Sequence, residues 1–129
     1  MKKMGFIFAC LFFVLVSTAY AGSLRTGTYQ LSGGNSKWAG SAYQGDVIIK
    51  QQGENYSVTW RIGARQNQVG IGILYNSTLS VAYLDTTNNA WGVATYRIVG
   101  DGELDGRWTT FEGVSQKPEY LIWKNSSTY

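Results

Sequence analysis

The stretch Ala42 to Ile62, AYQGDVIIKQQGENYSVTWRI, decides the fold class because it holds two apolar runs on either side of a short glycine turn. From Tyr56 to Trp60 apolar and polar side chains alternate, which is the period of a β-strand with one packed and one solvated face. The turn at Gly53 has the length and composition of a tight hairpin. The stretch therefore predicts two antiparallel strands that share one buried face.

The same pattern extends along the rest of the chain. Beyond the first 21 residues no stretch has ten residues of helical spacing, and Gly, Asn, Asp and Ser interrupt the apolar runs at short intervals. The predicted strands are Thr26 to Gly33, Ala42 to Gln51, Asn55 to Ile62, Gln68 to Leu74, Thr78 to Tyr83, Ala90 to Val99, Glu103 to Thr109, and Glu119 to Lys124. Because most connectors are short, consecutive strands are expected to pair antiparallel.

Eight sequential strands with one apolar face would leave two exposed edges if the sheet stayed open. Closure into an eight-stranded antiparallel up-and-down barrel removes the edges and buries the apolar face, so this all-β architecture is the prediction. A two-sheet β-sandwich is the alternative. The interior of a barrel of eight strands can be filled by side chains or can hold one small ligand.

Residues 1–21 have the pattern of a secretory signal peptide. Two lysines precede an apolar run from Gly5 to Val16, and Ala19-Tyr20-Ala21 is a small-x-small cleavage site. Cys10 allows a lipoprotein interpretation, but the apolar run continues after it, whereas polar residues should follow a lipid-bearing cysteine. The run is also shorter than the ~20 residues that span a bilayer. We therefore predict an exported protein, periplasmic or extracellular, with no membrane span and a single domain over residues 22–129.

Composition excludes several classes of function. The chain has no His, and its one Cys lies in the signal peptide, so Ser-His-Asp and Cys-His catalysis, His-ligated zinc and disulfides are excluded. The 108 residues left after cleavage carry nine Lys and Arg against eight Asp and Glu. That balance argues against a nucleic-acid or anionic-membrane partner, which requires clustered cations.

The carboxylates are interpreted as surface groups. The segment from Asp101 to Asp105 has the alternating acids of a calcium loop without the rest of that loop, and its Asp-Gly sequence is typical of a hairpin turn. The full set is Asp46, Glu54, Asp85, Asp101, Glu103, Asp105, Glu112 and Glu119. Most of them fall in predicted turns or at outward strand positions. The sequence therefore predicts no catalytic residue, no metal site, no cofactor and no enzymatic activity.

Aromatic residues are the unusual feature of the chain. After cleavage five Trp, eight Tyr and a single Phe remain, so the large side chains are mostly those with a polar group. Trp60 and Trp108 share strand faces with aliphatic residues and are interpreted as core. Trp38 lies in the polar loop from Gly33 to Ser41, where a binding or lid role and a packing role both stay open, and Trp91 is a second candidate.

Connector order predicts where a ligand would bind. In a meander of eight strands the first, third and fifth connectors open at the same end of the barrel, which we call the mouth. The two long loops, Gly33 to Ser41 and Leu84 to Asn89, are the first and fifth connectors. The candidate ligand-binding residues at this end are Trp38, Trp91, Arg65 and Asn67. They combine indoles, a guanidinium and an amide, which suits a polar-apolar ligand or a protein surface.

Two functions remain compatible with these patterns. In the first, the protein is a non-enzymatic binding protein that holds a small apolar or amphipathic ligand at the mouth, which requires an aromatic-lined cavity. In the alternative, it is an adhesion or inhibitor protein that acts on another protein through its outer surface, with a filled core and an exposed apolar patch.

The hairpin motifs also carry a family resemblance over most of the mature chain. The motifs include Gly27-x-Tyr29, Tyr43-x-Gly45-x-Val47, Tyr56-x-Val58-x-Trp60, Gly70-x-Gly72-Ile73, and Asp101-Gly102-x-Leu104-x-Gly106-x-Trp108. Their series resembles a group of small exported bacterial proteins that are often labelled fibronectin-binding or carry no function. The pattern is also similar to the calycin barrels, the avidins and lipocalins, whose opening strand carries Gly-x-Trp; here Tyr29 replaces that Trp. The resemblance implies a calycin-like barrel.

Overall fold

The computed structural model describes residues 24–33, 44–63 and 66–128, and within these ranges the protein is all β. The strands are β1 (Gly27–Gly33), β2 (Gln44–Gln52), β3 (Asn55–Ile62), β4 (Gln66–Tyr75), β5 (Thr78–Asp85), β6 (Ala90–Gly100), β7 (Glu103–Thr110) and β8 (Lys117–Asn125). Each predicted strand is present, with its ends moved by no more than two residues. In the same ranges no helix is long and apolar enough to cross a membrane. The predicted signal peptide, residues 1–21, lies outside the described residues.

The eight strands form a closed barrel in chain order, β1 to β8. Each strand pairs antiparallel with the next, and β1 closes the barrel on β8, with Tyr29 opposite Trp123 and Leu31 opposite Leu121. The up-and-down barrel is therefore confirmed over the alternative sandwich. Closure pairs the edges that an open sheet would leave exposed.

The tight turns have the backbone geometry that their residues predict. Asn76 and Ser77 form the two-residue turn between β4 and β5, and both adopt positive φ, 52° and 65°. Two-residue turns with positive φ match the twist of the flanking strands, so they suit hairpins. Gly53 and Gly102 supply the positive φ in the other two turns at the same end of the barrel.

Two connectors differ in length from the sequence prediction. Strand β5 continues to Asp85, so the loop predicted over Leu84 to Asn89 is a turn of residues 86–89. The seventh connector, predicted over residues 110–118, spans residues 111–116; it is longer than the fifth connector and lies at the same end of the barrel. The backbone of Asp85 pairs with both neighbouring strands, β4 and β6. Its side chain begins the turn, because Oδ1 accepts the N–H of Thr87 at 2.9 Å.

The end of the barrel opposite the mouth is closed by the chain itself. The Arg25 guanidinium lies 3.5 Å from the centroid of the Trp123 ring, a cation–π contact, and Trp123 Nε1 donates to the carbonyl of Thr26 at 3.0 Å. The Tyr29 hydroxyl donates to the Arg25 carbonyl at 2.7 Å, and burial raises the pKa of Tyr29 to about 12. Residues 24–26 thus cover the interior at this end.

Two tyrosine rings lie directly over glycines of the next strand. Tyr83 covers Gly92, and Tyr96 covers Gly106, so that a Cβ at either glycine would overlap the ring. Tyr96 and Tyr83 are both buried inside the barrel. Glycine at these positions lets the rings pack flat against the backbone of the adjacent strand.

We expect Gly106→Ala to lower the free energy of unfolding by about 1–3 kcal/mol, the cost of forcing a side chain into a packed interior. Gly100→Ala is the matched control, because its added Cβ would lie 3.6 Å from the nearest atom, an ordinary contact. Urea unfolding of the two variants measures the difference. Equal losses in both would show that the Tyr96 ring does not require a bare backbone.

Candidate functional site

A cavity of about 190 Å³ lies inside the barrel at the mouth. It is lined by Trp60, Ile62, Gln68, Tyr83, Ala94, Tyr96, Trp108 and Glu119. These residues come from six consecutive strands, β3 to β8, and most of them lie in the strand halves that lead to the third, fifth and seventh connectors. Four of the eight side chains are aromatic, so the cavity has flat apolar walls with polar groups on their edges.

Strand alternation explains how these side chains converge. Trp60 and Ile62 on β3 follow Tyr56 and Val58 on the inward face, as the sequence pattern predicts. Trp108 takes the corresponding position on β7. The predicted placement of Trp60 and Trp108 inside the barrel is therefore confirmed, and the two indoles also form walls of the cavity.

Glu119 is the polar centre of the cavity. Its side chain is buried on β8, with only 5% of the residue exposed. The indole N–H of Trp60 lies 3.1 Å from Glu119 Oε2 and 3.2 Å from the hydroxyl of Tyr96, and it donates toward both oxygens. The carboxyl is thus held by the aromatic wall.

Burial sets the proton affinity of this carboxyl. Loss of hydration raises the pKa of Glu119 from its ordinary 4.5 to about 7, although hydrogen bonds with the Trp60 and Tyr96 side chains act in the opposite direction. Of the described residues that line the cavity, none is Lys or Arg. The carboxyl therefore keeps its proton to a higher pH than an exposed glutamate does.

Tyr83 and Asp85 complete the polar groups near the mouth. The Tyr83 hydroxyl donates to the carbonyl of Thr109 at 3.1 Å, and its ring centroid lies 5.6 Å from that of Trp60. Burial, together with the charges of Glu119 and Asp85, raises the pKa of Tyr83 to about 12. The phenol therefore stays neutral and hydrogen-bonded at physiological pH.

The interpretation of the carboxylates as surface groups is wrong for Glu119 and Asp85, which are both buried. Asp85 is satisfied by the amide of Gln68 at 3.4 Å and by the N–H of Thr87. Glu119 lies inside because it shares a face of β8 with Leu121, which is fully buried and pairs with the core residues Leu31 and Leu104. The spacing Glu119-x-Leu121-x-Trp123 was the signal that would have placed this carboxyl in the interior.

Of the four predicted ligand-binding residues, the two that the structure describes, Trp91 and Asn67, do not line the cavity. Trp91 lies at the mouth end but on the outer face, 47% exposed and stacked on Phe111 with ring centroids 4.4 Å apart. Asn67 is exposed, and its carbonyl accepts the N–H of Thr86 at 3.2 Å. Trp38 and Arg65 lie outside the described residues. The ligand role of all four residues stays a prediction.

The outer surface carries an apolar face of its own on β4 to β6. Ile71, Ala82 and Val93 are register neighbours on the three strands and line a groove of about 560 Å³. The next row toward the mouth is formed by Val69, Leu84 and Trp91. The protein thus has the interior cavity that a small-ligand binding protein requires. It also has the exposed apolar patch that an adhesion or inhibitor protein requires.

The described part of the chain contains no cluster of side chains that could bind a metal ion. Over residues 24–33, 44–63 and 66–128 no three Asp, Glu, His or Cys side chains come close enough to hold a metal ion. The site therefore offers one hydrogen-bonded carboxyl within aromatic walls, an arrangement suited to recognition of a polar group on an apolar molecule.

Comparison with known proteins supports the fold. No protein-family model and no curated protein matches the chain. Among solved structures it is similar to a redesigned beta barrel, with 18% identity and a TM-score of 0.68 over 81% of this chain and 96% of that one. It also matches secretory abundant heat soluble protein 4 from Ramazzottius varieornatus, with 12% identity and a TM-score of 0.48 over 77% of this chain and 94% of that one. At these identities the likeness concerns the barrel alone.

Proposed function

We propose that this chain is an exported, non-enzymatic binding protein that holds a small amphipathic molecule in the mouth cavity. The observation that carries the proposal is the aromatic-lined cavity of about 190 Å³ with the buried carboxyl of Glu119 in its wall. Ligand sites are typically apolar concavities with a few placed polar groups. The calycin-like resemblance of the hairpin motifs agrees with a ligand inside the barrel.

The volume limits the size of the ligand. An apolar cavity of roughly 150 Å³ in another protein binds benzene, whereas sites for drug-sized molecules occupy about 300–1,000 Å³. The cavity therefore fits a molecule with one aromatic ring or a short branched chain and a single polar group. Asp85, the other buried carboxyl near the mouth, accepts hydrogen bonds from Gln68 and Thr87, so the proposal assigns it no catalytic role.

Benzyl alcohol is a suitable neutral probe, and two Ala→Leu variants test where it binds. Ala94 lines the cavity, while Ala82 lies one strand away with its side chain on the outer face. We expect Ala94→Leu to abolish binding of benzyl alcohol because it fills the cavity, and Ala82→Leu to leave the dissociation constant within about twofold. Ligand-observed NMR measures the dissociation constant of benzyl alcohol for each variant. The signal of the Trp60 indole N–H reports binding from the side of the protein.

The outer apolar face supports a second candidate, an adhesion or inhibitor protein that acts on another protein. Its groove presents Ile71, Ala82 and Val93 to solvent, and exposed apolar patches of this kind mark interaction surfaces. Fibronectin is the first partner to test, because the sequence resembles proteins with that label. Capture of immobilised fibronectin that Ala82→Leu disrupts, together with no cavity binding of benzyl alcohol, would favour this function over the first.

A further inference from the structure

We propose that the mouth cavity selects a cation, so that its ligand is a small protonated amine or quaternary ammonium held between the Glu119 carboxylate and the aromatic walls. This inference rests on the proposed function and specifies its ligand class. The juxtaposition that supports it is a buried carboxyl whose oxygen lies 3.1 Å from an indole N–H, in a cavity with four aromatic side chains.

The carboxylate lacks a counter-charge among its described neighbours. The described residues that line the cavity include no Lys or Arg, and Glu119 is not a member of the ion pairs Arg25–Asp101, Arg97–Asp105 and Lys124–Asp46. A buried carboxylate without a cation is costly, and it becomes stable once it is paired. A ligand ammonium supplies that charge.

The walls favour a cation for an independent reason. Trp60, Tyr83, Tyr96 and Trp108 surround the cavity. The faces of such rings attract cations, Trp most strongly, and aromatic enclosures are a recurring means of binding quaternary ammonium groups. A neutral hydrogen-bond donor would use the carboxyl but would gain nothing from the electrostatics of the rings.

Among the described residues, three other ionisable side chains lie near the cavity, Tyr83, Tyr96 and Asp85. On β5 and β6 the acids that face Glu119 are the phenols of Tyr83 and Tyr96, and the pKa of Tyr83 is raised to about 12. Asp85, at the end of β5, is hydrogen-bonded by Gln68 of β4. The lining positions of β3 and β7, Trp60 and Trp108, do not ionise. Comparison with Glu119→Gln therefore decides whether a change in cation affinity between pH 5.5 and pH 8 comes from Glu119.

The experiment compares benzylamine with benzyl alcohol, which differ in charge at nearly the same size. At pH 8 we expect the wild-type protein to bind benzylamine at least about tenfold more tightly, the scale of one charge-assisted hydrogen bond. Glu119→Gln should weaken benzylamine binding about tenfold and benzyl alcohol binding less, because the amide oxygen of Gln still accepts a hydrogen bond from a hydroxyl. Glu54→Gln, in the exposed turn after β2, is the control and should change neither.

Tetramethylammonium tests the pH dependence, because its charge does not change with pH. Its affinity for the wild type should rise from pH 5.5 to pH 8, and its affinity for Glu119→Gln should stay constant. Equal binding of benzylamine and benzyl alcohol, or an equal loss of both in Glu119→Gln, would overturn the cation proposal while the cavity function stands. Failure of all three probes to bind the wild type would overturn both proposals.

Discussion

Replacement of Trp60 by alanine is expected to lower the free energy of unfolding by ~3–5 kcal/mol, as for other large aromatic truncations in a core. The residue is only 2% exposed, and its ring packs on Tyr83. The indole N–H also donates to Glu119 and Tyr96, so truncation removes a hydrogen-bond donor from a buried carboxyl at the same time. Chemical denaturation monitored by far-UV circular dichroism measures the loss.

Two further variants separate the loss of the hydrogen-bond donor from the loss of ring packing in Trp60→Ala. Trp60→Phe keeps most of the ring but removes the donor, and we expect it to cost about 1–3 kcal/mol, the range for an unsatisfied buried polar group. Trp91→Ala is the matched control on the outer face, where only the stacking on Phe111 is lost, at a cost of about 0.5–1.5 kcal/mol. If Trp60→Ala destabilises no more than Trp91→Ala, the Trp60 indole does not anchor the interior as argued.

Strand periodicity was sufficient to predict the barrel. Alternation around Val58 and Trp60 fixes which face of β3 is buried, and the turn at Gly53 fixes its pairing with β2. Eight such runs with short connectors have few topologies that bury one face without leaving edges, and the closed meander is the one observed. Local patterns decide a fold of this kind because consecutive strands are neighbours in space.

The site could be predicted only in part. The sequence predicts the mouth as the binding end, and the cavity lies there, but its walls come from strand interiors on β3 to β8. The sequence predicts ligand contacts in or next to the loops, as for Trp91 at the start of β6, because strand side chains are expected to fill the core. Whether Tyr83, Tyr96 and Trp108 fill the barrel or enclose space depends on their rotamers and on glycines such as Gly106, which alternation cannot reveal.

Glu119 shows the same limit for polar residues. A carboxylate two residues before a buried Leu121 was interpreted as a surface group on residue type alone, because acids are rarely buried without a partner. Its partners, Trp60 and Tyr96, lie 59 and 23 positions away in sequence, on β3 and β6. Only the closed barrel brings them together, so no local pattern could identify the hydrogen bonds that accommodate this carboxyl.

The burial of Glu119 predicts that stability depends on pH in a direction unusual for a carboxylate. Its pKa is raised from 4.5 in the unfolded chain to about 7 in the folded protein, so the folded state binds the proton more tightly. The resulting stabilisation is complete below about pH 4.5, decreases as the pH rises through 7, and is absent above it. The pKa difference corresponds to roughly 3 kcal/mol.

Glu119→Gln isolates this contribution, because a neutral amide resembles the protonated carboxyl in shape and cannot ionise. We expect the variant and the wild type to have similar free energies of unfolding at pH 4, and the variant to be more stable by roughly 3 kcal/mol at pH 8. Urea titrations at five pH values between these limits measure the difference, and Glu54→Gln, exposed in its turn, should follow the wild type throughout. A difference between Glu119→Gln and wild type that stays constant with pH would mean that Glu119 ionises normally. Its carboxyl would then have access to water in the folded barrel.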